Sequence, residues 1–205
     1  MIMSKHEALK KLEEEMENDS SLPLRESNLV FGEGSPDCEA MFIGEGPGFY
    51  EDKMKRPFVG RAGQLLDKLI MSIGWKRENV YITNVLKRRP PGNRDPLPGE
   101  IEAYAPYLTR QIEIIDPPVI VPLGRFAMNY FLPEAKISRD QGKLFKLGER
   151  YIYPLFHPAA ALRGTGTLNS LTESFMKLPE VLKKLETMAE VVAVETRKDA
   201  QKSLF

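Results

Sequence analysis

Short apolar runs that empty into glycine- or proline-rich turns constrain this chain more than any other feature. Met41-Phe42-Ile43 runs into Gly44-Glu45-Gly46-Pro47-Gly48, and Arg56-Pro57-Phe58-Val59-Gly60-Arg61-Ala62-Gly63 follows as a second Pro/Gly-flanked turn before an amphipathic segment, Gln64 to Ile73. An apolar strand that ends in a glycine loop is where an α/β sheet presents backbone N–H groups and a side chain to a ligand. Glycine lets a flat ligand approach the main chain closely. The turn at 44–48 is therefore the candidate site.

The pattern repeats along the chain. Strands are expected at Ala40–Gly44, Val80–Val85, Pro118–Leu123 and Tyr151–Phe156, the last stopping at His157-Pro158. Between them, helical periodicity marks Lys5–Glu17, Gly63–Ile73 with Gly74 as C-cap, Pro98 or Glu100 to Ile115, Arg125–Phe131 and Leu171–Val194. Residues 18–37 read as an irregular polar connection, a hairpin-like stretch surrounds Gly142 and Gly148, and the prolines at 90, 91, 96 and 98 exclude regular structure from Lys87 to Pro98. Strands alternating with helices predict a three-layer α/β/α fold around a mainly parallel four-stranded sheet. With 205 residues, 42% of them hydrophobic, one domain over 1–200 is expected, including an N-terminal helix at 1–20, with a flexible tail at 201–205.

Composition excludes several classes. No apolar run reaches the roughly 20 residues that span a bilayer, and Met1 to Asp19 lacks the apolar core of a secretory signal. A soluble cytoplasmic protein is expected. Cys38 is the only cysteine, so neither an intrachain disulfide nor a cysteine-rich metal site can form. The net charge of zero hides an asymmetry. Glu13, Glu14, Glu15, Glu17 and Asp19 crowd the first helix, whereas residues 53–94 carry eleven Lys and Arg against Asp67 and Glu78. Such a basic centre is either a solvated face or a surface for phosphates. The position of Lys87-Arg88-Arg89, directly after a strand, favours phosphates.

Three strand ends matter together: Glu45 after the first strand, Asn84 at the second and His157 after the fourth, with Phe58 nearby. Carboxyl ends of parallel strands share one edge of the sheet. An amide offers donor and acceptor together and can read a nucleobase edge. An aromatic ring is a stacking platform, and a histidine can stabilise a developing anion. The set suits an extruded base better than a sugar or a dinucleotide.

These motifs, in order, resemble family 4 uracil-DNA glycosylases. The resemblance rests on Gly44-Glu45-Gly46-Pro47-Gly48 with Glu51-Asp52, Pro57-Phe58-Val59-Gly60-Arg61-Ala62-Gly63, Thr83-Asn84-Val85, Arg89-Pro90-Pro91-x-Asn93-Arg94-x-Pro96 and His157-Pro158. Phe31-Gly32-Glu33-Gly34 and Pro122-Leu123-Gly124 also match, so it covers about residues 29–163. It implies a monofunctional DNA-repair hydrolase that flips deoxyuridine from DNA, cleaves its N-glycosidic bond and leaves an abasic site. His157 would stabilise the departing uracil, Asn84 would read its edge and Phe58 would stack on it. Glu45 would orient water or offset sugar charge. Gly46, Gly48 and Glu51 would line the base site. Gly46 stands where relatives carry an aspartate, and Glu51 is a candidate for excluding the thymine methyl. Lys87, Arg89 and Arg94 are expected on the DNA backbone, Leu162 as a wedge into the gap left by the flipped base, and Arg163 on a phosphate.

The resemblance also implies a 4Fe–4S cluster held by four cysteines, two in the N-terminal connection and two flanking the proline-rich loop. Here the loop positions fall on Arg88 and Tyr104, and the region before Phe31 has no cysteine. A cluster-free member with no metal is expected, in which Arg88 and Tyr104 replace the cluster by packing and charge, through a cation–π contact. Covalent capture of DNA through a loop histidine is disfavoured, because His6 and His157 are the only histidines. The competing reading is a catalytically impaired DNA- or partner-binding module of the same fold. Gln201, Leu204 and Phe205 form a terminal Gln-x-x-Leu-Phe that resembles a sliding-clamp peptide; otherwise a monomer without membrane contact is expected.

Overall fold

A computed structural model describes residues 3–187. Helix α1 (Lys5–Asn18) starts where a capping box predicts: Glu7 N–H donates to the Ser4 hydroxyl, and the Glu7 carboxylate accepts from Ser4 N–H at 2.9 Å. Its buried stripe, Leu9, Leu12 and Met16, faces α4 (Pro98–Ile115). Helix α4 begins at a proline that needs no N–H partner, and Glu100 accepts from Leu97 N–H at 2.9 Å.

The sheet has six strands in the order β1 (Glu33–Gly34), β3 (Tyr81–Asn84), β2 (Met41–Gly44), β4 (Ile120–Pro122), β6 (Arg150–Ile152), β5 (Phe145–Leu147). The four inner strands run parallel, as expected, and the two edges are antiparallel. The expected strand count was therefore short by two. Glu33–Gly34 lies inside the segment read as irregular, and Phe145–Leu147 pairs across the turn at Gly148. Both edge strands are too short to show a sustained alternating pattern, although the second falls in the expected hairpin-like stretch.

The pleat divides the core between two faces. Met41, Ile43, Tyr81 and Ile120 pack under α1, α4 and α5 (Gly124–Phe131). Phe42, Ile82 and Val121 pack on the other face against α3 (Arg61–Ser72) and α8 (Thr165–Met176). The three-layer α/β/α architecture is the expected one. The final helical region starts earlier than expected, turns at Lys177 and resumes over residues 178–187. The rest of the expected helix, 188–194, and the clamp-like Gln201, Leu204 and Phe205 lie outside the described residues. Three short helices escaped the sequence reading: α2 (Phe49–Met54), α6 (Ile137–Asp140) and α7 (Pro158–Ala161). No helix among the described residues is long and apolar enough to cross a membrane.

Candidate active site

Strand register builds the site. Gly44 of β2 lies opposite Asn84 of β3, so Glu45 and Asn84 leave the sheet side by side. On the other flank, a parallel bridge between Leu123 and Leu155 prolongs the β4–β6 pairing, and His157 follows it. The three strand ends thus converge on one edge of the sheet. They line a cavity of about 210 Å³ together with Gly46, Gly48, Glu51, Phe58, Arg94 and the loop residues Asn93 and Pro96. That is smaller than the roughly 300–1,000 Å³ of drug-sized sites and suits a single heterocycle.

Phe58 is held in a backbone conformation that such a residue rarely adopts, with φ of +50°. Clamps on both sides fix it. Arg77 donates to the Pro57 carbonyl at 2.6 Å, and the Glu51 carboxylate accepts from Val59 and Gly60 N–H at 2.9 and 2.8 Å. Two glycines give the turn its room: a Cβ on Gly63 would overlap the Phe58 backbone, and one on Gly44 would sit 2.6 Å from the Phe58 ring and against the Asn84 amide. The ring stacks on His157, with centroids 5.5 Å apart and planes 27° apart.

The polar groups differ in how they are satisfied. The Asn84 side chain is largely enclosed, and its amide opens into the cavity without a hydrogen bond to the protein among the described residues. Its donor and acceptor are therefore free to pair with a ligand. The His157 ring caps α7, accepting at Nδ1 from Ala159 N–H at 3.1 Å. Burial lowers its pKa to about 4; nearby Glu51 opposes that shift and Arg163 adds to it. The ring is therefore neutral near pH 7, and with Nδ1 accepting, its proton sits on Nε2. Burial, reinforced by Asp95 and opposed by Arg125, raises the pKa of Glu45.

Residues 31–185 match the family model of the Uracil DNA glycosylase superfamily. The chain belongs to that superfamily. A type-4 uracil-DNA glycosylase of Sulfurisphaera tokodaii is 44% identical over 187 residues, covering 85% of each chain. Those of Thermotoga maritima and Archaeoglobus fulgidus are 48% and 45% identical, covering 69% and 76% of this chain and 76% and 82% of theirs. Membership bears out the fold class and the enzyme class, a DNA-repair glycosylase, expected from the motifs.

Of the residues singled out from the sequence, Glu45, Gly46, Gly48, Glu51, Phe58, Asn84, Arg94 and His157 all line the cavity. Arg94 does so while held by Glu100 at 2.5 and 2.9 Å. Arg89 lies at the rim, its Nε donating to Asn93 Oδ1 at 2.6 Å. Leu162 and Arg163, just past α7, are exposed, Leu162 by 42%. Lys87 corrects the sequence reading: it is fully buried, with its pKa pushed well down by that burial, and its Nζ donates to Thr83 Oγ1 and Gln111 Oε1 at 2.5 and 2.6 Å, so it reaches no phosphate. A run of three basic residues after a strand does not show which of them turns inward. Asn93 and Pro96 were not singled out as lining residues, although the motif that contains them was.

A second polar region lies behind the same loop. Arg88 is buried and donates to the Ser27 carbonyl and to Glu17 at 2.6 Å, while Tyr104 donates to the Pro23 carbonyl at 2.7 Å. The expected cation–π contact between Arg88 and Tyr104 is not found among the described residues; both instead use backbone carbonyls. The single cysteine, Cys38, is buried, and burial pushes its thiol up to about 11. Among the described residues no cluster of His, Cys, Asp or Glu could hold a metal ion. This donor set does not fit a cluster that needs four thiolates.

Proposed function

We propose that the cavity takes up a deoxyuridine flipped out of DNA and hydrolyses its N-glycosidic bond, releasing uracil and leaving an abasic site. The observation that carries this reading is the Asn84 amide, open to the cavity and unpartnered among the described residues, beside a stacking ring and a neutral imidazole. Uracil offers an N3–H donor next to the O4 acceptor. The Asn84 carbonyl accepts the first and its NH₂ donates to the second, a pattern that cytosine reverses. Phe58 stacks on the ring. As the bond to deoxyribose breaks, the electron pair passes to uracil, and His157 Nε2–H donates to the oxygen that gains charge. A neutral donor fixed in a water-poor pocket stabilises that anion without giving up its proton.

Glu45 faces the sugar side, where it orients the attacking water or offsets oxocarbenium charge; its raised pKa suits a group that can take up the proton released by that water. Gly46 and Gly48 keep the wall low, and Glu51 is our candidate for excluding the thymine methyl. Arg89, Arg94 and Arg163 approach phosphates, and Leu162 fills the space left by the flipped base. Arg88, Tyr104 and Glu17 make the protein independent of an iron–sulfur cluster, since they supply by hydrogen bonds the cross-link between the proline-rich loop and the N-terminal segment.

The test is cleavage of an oligonucleotide with one deoxyuridine, followed by alkali, using protein assayed for iron and sulfide. Strand breakage by iron-free protein that is lost in Asn84→Ala and in His157→Ala supports the reading. Binding of uracil DNA without release would favour a non-catalytic module, and activity that requires iron would refute cluster independence.

A further inference from the structure

Helix α2 opens, immediately past Gly48, with two aromatic residues that the core does not use. Phe49 is 53% exposed and Tyr50 61%, and their rings meet edge to face with centroids 5.4 Å apart. The pair is contiguous with the base cavity, since Gly48 before it and Glu51 after it both line that cavity. The Tyr50 ring also packs beside Gly60, within the turn that carries Phe58. The Arg89 guanidinium lies 5.2 Å from the centre of the Phe49 ring and has no carboxylate partner among the described residues. Aromatic rings interleaved with a free cation at the mouth of a base pocket match the chemistry of a nucleic-acid strand: the π-faces meet bases and the cation meets the phosphate.

We propose that Phe49 and Tyr50 form a second stacking platform, which receives the base next to the flipped deoxyuridine while Arg89 contacts the phosphate between the two nucleotides. The proposal rests on the glycosylase reading of the cavity. Flipping one nucleotide strips its neighbour of a stacking partner, and an exposed ring beside the pocket replaces it. The platform favours a neighbour free to leave its own stack, as in a single strand.

The experiment uses single-stranded oligonucleotides with one deoxyuridine, either intact or with a tetrahydrofuran spacer replacing the 5′ or the 3′ neighbouring base. They are compared on the wild type, on the Phe49→Ala/Tyr50→Ala double variant and on Tyr50→Phe. For the wild type, removal of one of the two neighbours should raise KM about tenfold, the scale of one base–aromatic stack, with kcat unchanged. The double variant should show that raised KM on the intact strand and be indifferent to the spacer, whereas Tyr50→Phe should behave as wild type. Equal sensitivity of the wild type and the double variant to the spacers, or indifference of both, overturns the platform. Uracil release from the intact strand by the wild type tests the glycosylase reading separately. Were release absent, the Kd of the same strands, read by fluorescence anisotropy, would decide the platform by the same comparison.

Discussion

Asn84 and Arg88 sit on one short stretch of chain at the end of β3, and their polar atoms are treated in opposite ways. The Asn84 side chain is largely enclosed, but its amide opens into a cavity sized for one ring and has no protein partner among the described residues. Arg88 and its neighbour Lys87 are also buried, and Glu17, the Ser27 carbonyl, Thr83 and Gln111 meet their terminal nitrogens, while Arg88 Nε has no partner among the described residues. An amide that opens into a cavity stays free to pair with what enters it, whereas an enclosed donor costs stability unless the protein meets it. Groups that are met hold the fold together. The loop therefore has a working side and a structural side, and substitutions should separate them.

The largest effect should come from the working side. Asn84→Ala and His157→Ala should each lower kcat by about a hundredfold to a thousandfold, the scale of one donor lost from an oxyanion site. Asn84→Ala should change stability by less than about 1 kcal/mol, because it breaks no hydrogen bond within the protein. Single-turnover kinetics together with thermal melting would show both; a large loss of stability in Asn84→Ala would mean that the amide is structural after all.

On the structural side the order should reverse. Lys87→Met leaves Thr83 Oγ1 and Gln111 Oε1 without their donor, at a cost of about 1–3 kcal/mol. Glu17→Leu leaves the Arg88 charge buried without its counter-ion. The cost should again be about 1–3 kcal/mol, below that of a wholly buried pair because Glu17 is half in water. Denaturant unfolding measures both, and kcat of the folded fraction should stay within about threefold of wild type. A kcat that collapsed while stability held would erase the distinction between the two sides.

A smaller effect links the two properties. Burial holds the His157 pKa at about 4, whereas an unfolded histidine titrates near 6.5. Between those values the unfolded chain takes up the proton first, so this histidine's contribution is complete above about pH 6.5 and is lost as pH falls toward 4. The slope is at most about 1.4 kcal/mol per pH unit. Glu45, whose pKa is raised, works in the opposite direction at the acid end. The comparison with His157→Gln isolates the term: the difference in unfolding free energy between the two proteins should narrow or change sign across pH 6.5 to 4. A constant difference would place the ring in a more solvated setting.

How much of this was legible depended on the kind of signal. The four parallel strands and the convergence of Glu45, Asn84 and His157 were readable because apolar runs and strand ends are local features, and parallel topology carries those ends to one edge. The edge strands were less readable: Glu33–Gly34 is two residues that pair only because a neighbouring strand is present, and Phe145–Leu147 showed only as part of a hairpin-like stretch around Gly148. The Glu51 clamp on the Phe58 turn was equally hidden, because it depends on a carboxylate reaching backbone N–H groups of a later turn. The fate of Lys87 was misread for a related reason: whether a basic side chain enters water or the core depends on what waits inside, and Thr83 and Gln111 meet only after folding.

That misreading yields the smallest and sharpest prediction. Arg163 is exposed beside Leu162 at the end of α7, whereas Lys87 is enclosed. Each phosphate neutralised by a cation releases counterions, so removing one such contact should reduce the slope of log K against log salt by about 0.7 for a single strand and about 0.9 for a duplex. Arg163→Ala should show this reduction and weaken binding by less than about tenfold at moderate salt. Lys87→Met, measured on folded protein, should leave the slope unchanged although it too removes a basic residue. Identical slopes in wild type and Arg163→Ala would move the phosphate track away from α7. A reduced slope in Lys87→Met would require the loop to open on DNA and release its lysine, and the two sides of the loop would then exchange residues when the substrate binds.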